Sequence, residues 1–189
     1  MILLDPDLDP DPSSRMQLPQ RKTGSGRTAA LRNQRIPNRR TLVTFLRAAQ
    51  AAVRLRGQVT VLLTTDAAIQ RLNRQFRGKN KATDVLSFPA AVPGPVKIAG
   101  DLAISIPMAR RQAEECGHAL RVEIKILMLH GLLHLAGYDH EADAGEMARR
   151  EQRLRAKLRL PHGLIERTIG ETAGANPRSL KAPRKGPRP

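Results

Sequence analysis

Residues 121–140 read RVEIKILMLHGLLHLAGYDH. The run from Val122 onward is apolar almost throughout and too long for a single strand. It predicts a buried helix over Arg121–Ala136, terminated by Gly137. Lys125, His130 and His134 interrupt it, and it is too short to span a bilayer. His130 and His134 lie four apart, so both imidazoles leave one face of that helix a turn apart. Gly137 lets the chain reverse, and His140 can then return as a third ligand. Three neutral imidazoles on a divalent ion leave a fourth position for water, the layout of a catalytic zinc centre. A structural zinc centre would close its shell with a fourth protein ligand, and the chain's one cysteine, Cys116, lies outside the cluster. Zinc is the expected cofactor, as one ion, although three imidazoles also accept nickel or copper. Asp139, beside the third histidine, reads either as a carboxylate orienting a ligand imidazole or as an ordinary turn residue.

The spacing HxxxHxxGxxH is also that of the metzincin proteases, whose general base is a glutamate directly after the first histidine. Here that residue is Gly131, which has no side chain to take a proton. The metal cage survives this substitution; the peptidase does not, and a metalloprotease is the weakest of the readings.

Charge narrows the substrate. The 189 residues carry a net charge of +16, which favours a polyanionic partner, nucleic acid before an anionic membrane. From Pro12 to Thr65 the chain has eleven Arg and Lys and no acid, so this charge is concentrated rather than spread. Three Phe, one Tyr and no Trp make a base-stacking sheet unexpected and favour contacts to the phosphate backbone. One cysteine and no secretory signal in MILLDPDLDP read as a cytoplasmic protein.

Working outward from the histidines, the pattern predicts an α+β fold: a compact single domain with a small three- to four-stranded sheet, about five helices, and a metal cleft beside the histidine-bearing helix. Thr41–Leu55 is expected as a helix stopped by Gly57, and Gln58–Thr65 as a strand. A helix capped by Asp66 follows, burying Ile69, Leu72 and Phe76. Strands are expected at Asp84–Phe88 and Asp101–Ile106, with Pro107 opening the next helix. Asp143 and Glu146 read as a capping box for a last helix reaching Leu160. Ile2–Leu4 is a candidate first strand, weakened by Pro6. Three segments result: residues 1–40, a candidate strand followed by a flexible basic extension; 41–160, the folded domain; and 161–189, a basic, proline-rich disordered tail.

The turn Arg77-Gly78-Lys79-Asn80-Lys81 puts three cations at the entrance of a strand. Arg77 offers a planar fork suited to a phosphate, with Lys79 and Lys81 as weaker substrate contacts. By spacing alone nothing brings this turn to the histidines, and a solvated basic turn is the simpler reading. However, LNRQFRGKNKATDVLSFP (72–89), GDLAIS (100–105) and GHALRVEIKILMLHGLLHLAGYDHE (117–141), in this order, resemble the YbeY family of bacterial rRNA maturation endoribonucleases. The resemblance spans about residues 58–158 and implies that His130, His134 and His140 are zinc ligands and that Arg77 acts in catalysis. It further implies single-strand-specific cleavage of RNA in 16S rRNA 3′-end maturation and 70S ribosome quality control, with rRNA and the 30S subunit as partners. The rival reading is a non-catalytic RNA-binding assembly factor whose metal only organises the cleft. The basic N-terminal insertion and C-terminal extension depart from the family's compact domain.

Overall fold

In the computed structural model the described residues are 1–8, 34–90, 97–139 and 143–161. They form one α+β domain with four strands and five helices. Most of the two segments expected as basic extensions lies outside the described residues, and so does His140.

The strands are β1 (Ile2–Leu4), β2 (Gln58–Thr64), β3 (Val85–Pro89) and β4 (Ile98–Ser105), in the sheet order β1-β2-β4-β3. β1 pairs parallel to β2, with Ile2 opposite Val61, and β2 parallel to β4, with Val61 opposite Leu102. β3 closes the other edge antiparallel to β4, with Leu86 opposite Ala103. The strand at Ile2–Leu4 therefore forms despite Pro6, because the chain needs only three residues there before it turns. Asp5 anchors that turn: its backbone N–H donates to the Leu63 carbonyl (2.9 Å), and its carboxylate accepts from the Thr64 hydroxyl.

Alternation along the strands decides the two faces. Val59, Val61, Leu63, Leu102 and Ile104 belong to the main core, while Leu86 and Ala103 turn to the other face and pack on Ile69. The helices are α1 (Arg39–Val53), α2 (Asp66–Arg77), α3 (Ile106–Glu115), α4 (Leu120–Leu135) and α5 (Glu146–Lys157). α4 runs through the main core with twelve of its sixteen residues buried, as its unbroken apolar run requires.

Several ends differ from those read in the sequence. α1 stops at Val53 on Arg54 in the left-handed conformation (φ 67°), whose N–H donates to the Ala51 carbonyl. Gly57 does not stop that helix. A Cβ on it would meet the Lys97 carbonyl oxygen at 2.8 Å, so this glycine serves the close approach of the chain leading into β4. Thr65, not Asp66, caps α2, accepting from Ala68 N–H, and Asp66 instead pairs with Arg111 at 2.9 Å. Phe76 is not in the buried stripe of α2. It is 59 % exposed, and Asn73 takes the inward place. α5 begins at Glu146 on Gly145, and no side chain caps it at that position. Asp143 still ties the start of α5, but through the N–H groups of Gly145 (2.7 Å) and Met147 (2.8 Å) rather than through a capping box. No helix among the described residues is long and apolar enough to cross a membrane.

Candidate metal centre and cleft

The histidine pair sits where α4 passes under α5. His130 is 9 % exposed, and its Nδ1 lies 2.9 Å from Glu151 Oε2 on α5. The other oxygen of Glu151 accepts from Arg155 Nε at 2.7 Å, and Arg155 donates onward to the Pro161 carbonyl at 2.9 Å. Burial raises the Glu151 carboxyl, but the hydrogen bond and charge of His130, together with Arg155, outweigh it and hold the group below its ordinary value. Glu151 Oε2 is placed to accept a hydrogen bond from an Nδ1–H of His130, an arrangement that would leave Nε2 as the ring's lone-pair donor. That Nε2 faces His134 Nε2 at 3.2 Å.

This separation tests whether the residues fit a metal. Two nitrogens bound about 2.0–2.1 Å from a tetrahedral ion stand about 3.3 Å apart. The pair therefore stands at a spacing that suits two zinc ligands and equally a ring-to-ring hydrogen bond. The third expected ligand, His140, lies outside the described residues, so the structure gives the pair alone.

His134 also opens onto a cleft of ≈ 540 Å³ lined by Arg77, Lys79, Ser87, Pro89, Gly137, Tyr138 and Asp139. The fold thus brings together what spacing could not, because β3 lies on the sheet edge against α4 and carries the basic turn with it. Arg77 is the last residue of α2, and Gly78 ends the helix in the left-handed region (φ 69°). The turn is braced from within: Asn73 Nδ2 donates to the Lys81 carbonyl at 2.7 Å, and Gln70 reaches the Asn80 carbonyl at 3.3 Å. Lys79 lines the cleft. Lys81 is exposed on the turn and is not among the lining residues. Asp139 lies on the cleft wall, and Glu151 is a carboxylate seated on the His130 imidazole.

Gly131 faces the sheet. A Cβ there would lie 2.7 Å from Leu102 Cδ2 and 3.2 Å from Ser87 Oγ, and the Ser87 hydroxyl already donates to the Gly131 carbonyl at 3.3 Å. The position that a peptidase would fill with its general base has no room for a side chain.

Comparison with known proteins gives the family. The family described as Endoribonuclease YbeY matches residues 29–159. The chain belongs to the YbeY family. Among its relatives, an Endoribonuclease YbeY of Koribacter versatilis is 56 % identical over 128 residues, covering 68 % of this chain and 82 % of that one. Another, of Solibacter usitatus, is 57 % identical over 123 residues, covering 65 % of this chain and 81 % of that one. A solution structure from Thermotoga maritima aligns over 77 % of this chain and 96 % of that one at 25 % identity, with a TM-score of 0.45.

Within this YbeY-family domain, sequence reasoning overlooked Glu151 and Arg155. The signal was present: Met147, Glu151, Leu154 and Leu158 recur at helical spacing, which places a carboxylate inside the apolar stripe of α5. A charged residue in a core-facing stripe is buried only with a partner, and here the partners are the His130 imidazole and Arg155.

Proposed function

We propose that this chain is a single-strand-specific, metal-dependent endoribonuclease of the cytoplasm, acting in 16S rRNA 3′-end maturation and 70S ribosome quality control, with rRNA and the 30S subunit as its partners. One observation carries the reading: His134, one member of an imidazole pair at metal-ligand spacing, lines the same cleft as the cations Arg77 and Lys79. His130 and His134 would hold the ion, with His140 as the third ligand. Bound there, a zinc ion would act as a Lewis acid toward a phosphoryl oxygen and lower the pKa of water.

The protein's own groups do the rest. Glu151, fixed by Arg155, keeps the His130 ring in one tautomer and one orientation. Arg77 offers two parallel N–H donors to a phosphate, stabilising charge as it builds on the phosphoryl oxygens. Lys79 adds a second, point-like cation on the same wall. Lys81, outside the lining, is left to longer-range attraction of the RNA. Asp139 is the cleft's own carboxylate and a candidate for orienting a ligand imidazole.

The test is single-turnover cleavage of a single-stranded rRNA fragment by the wild type, by His130→Ala, and by wild type treated with a chelator. Loss of cleavage in both latter cases, restored to the wild type by zinc, supports the reading. Equal cleavage by His130→Ala overturns it. Absent cleavage with any divalent ion, while Arg77→Ala still weakens RNA binding, would instead make the chain a non-catalytic assembly factor.

A further inference from the structure

Phe76 is the residue that the helical pattern of α2 places inward and the fold leaves outward. It is 59 % exposed, one residue before Arg77, and its ring meets that of Phe88 in an edge-to-face contact with centroids 5.1 Å apart and planes at 69°. Phe88 is half-buried and packs on the cluster of Ile69, Leu86 and Ala103. An exposed phenylalanine alone needs no explanation. This one is held by a second ring that is itself anchored in the core, so its orientation is set before any ligand arrives. A T-shaped contact covers at most one face of a ring, and Phe76 therefore keeps a face in water.

Its position gives that face a use. Arg77 and Pro89, the residues directly after Phe76 and Phe88, both line the cleft. Side chains alternate along β3, so Ser87 and Pro89 look into the cleft while Phe88 looks to the other face of the sheet. β3 is an edge strand of the sheet. A polyanion held by Arg77 and Lys79 thus crosses an edge with two cations on one side and an aromatic pair on the other. Alternating phosphates and flat apolar rings match that arrangement; a duplex, whose bases are stacked on one another, has no ring to offer.

We propose that Phe76, backed by Phe88, is the stacking platform for an unpaired nucleobase of the RNA strand whose phosphate Arg77 grips, and that it supplies preference for single strands. This rests on RNA being the ligand of the cleft, as proposed above. Two of the chain's three phenylalanines form the platform, so aromatic scarcity limits it to about one base rather than a stacked run.

The chain contains no tryptophan, so Phe76→Trp in the full-length, zinc-loaded protein introduces a single reporter at the platform. On rapid mixing, its fluorescence should be quenched by a single-stranded RNA fragment and far less by the same fragment annealed to its complement. Binding seen by anisotropy without quenching, or equal quenching by the duplex, overturns the proposal. In parallel, Phe76→Leu should weaken single-strand affinity roughly fivefold or more while Phe76→Tyr retains it. Unchanged affinity in Phe76→Leu also overturns it. Cleavage without quenching sinks the platform and spares the nuclease; quenching without cleavage does the reverse.

Discussion

At Gly131 one missing side chain settles two questions. The sequence shows that no peptidase base is present there, and the structure adds that none would fit. Leu102, the nearest neighbour, is 1 % exposed and cannot swing aside into solvent. Gly131→Ala would gain about 1 kcal/mol of helix propensity, but overpacking a filled core costs about 1–3 kcal/mol. A net loss is expected, read as a lower urea midpoint, and Gly131→Glu should lose far more without gaining peptidase activity. A second expectation concerns Glu151. Glu151→Gln keeps the shape but removes the charge that fixes the His130 tautomer, so zinc affinity should fall about 10- to 100-fold in competition with a chromophoric chelator. The histidine spacing was readable from the sequence because helical geometry is local. Glu151 was not read because its partner lies on another helix, twenty-one residues away in the chain.

The elements were legible where one period dominated. α4 announced itself by an unbroken apolar run, and β2 and β4 by β-rich runs between turns. Ends were less legible, since a residue such as Arg54 takes a left-handed cap that glycine would normally fill. The parallel pairing of β1 with β2 was also hidden, because a three-residue strand carries no period. Its anchor makes a pH prediction. The Thr64 hydroxyl, followed by the Asp7 N–H, holds the Asp5 carboxyl below its ordinary value. A depressed carboxyl contributes stability at pH above the ordinary aspartate range, and that contribution disappears as pH falls through the lowered value. In thermal melts Asp5→Asn should therefore be less stable than wild type at neutral pH, and the difference should shrink on acidification. A gap that stays constant to low pH would assign the effect to the amide rather than to the charge.

For the whole molecule, a net charge of +16 makes attraction to RNA general, while the cleft makes it local. The two separate in salt. For single strands, each neutralised phosphate contributes about −0.7 to the slope of log affinity against log salt. Arg77→Ala and Lys79→Ala should each flatten that slope by about this amount, whereas Lys81→Ala, outside the lining, should change it less. The charge and the two halves of the site were visible in the sequence. Their convergence was not, because it depends on β3 returning antiparallel at the sheet edge. The depth of α4 carries a last consequence. A helix buried almost all round cannot open by itself, so its amides should exchange with solvent only when the entire domain unfolds. Whatever the histidines hold is then linked to that one global equilibrium, and each tenfold excess of ligand over its Kd adds about 1.4 kcal/mol to it. If that occupant is a metal ion, the stability of the fold would report how much of the ion is at hand.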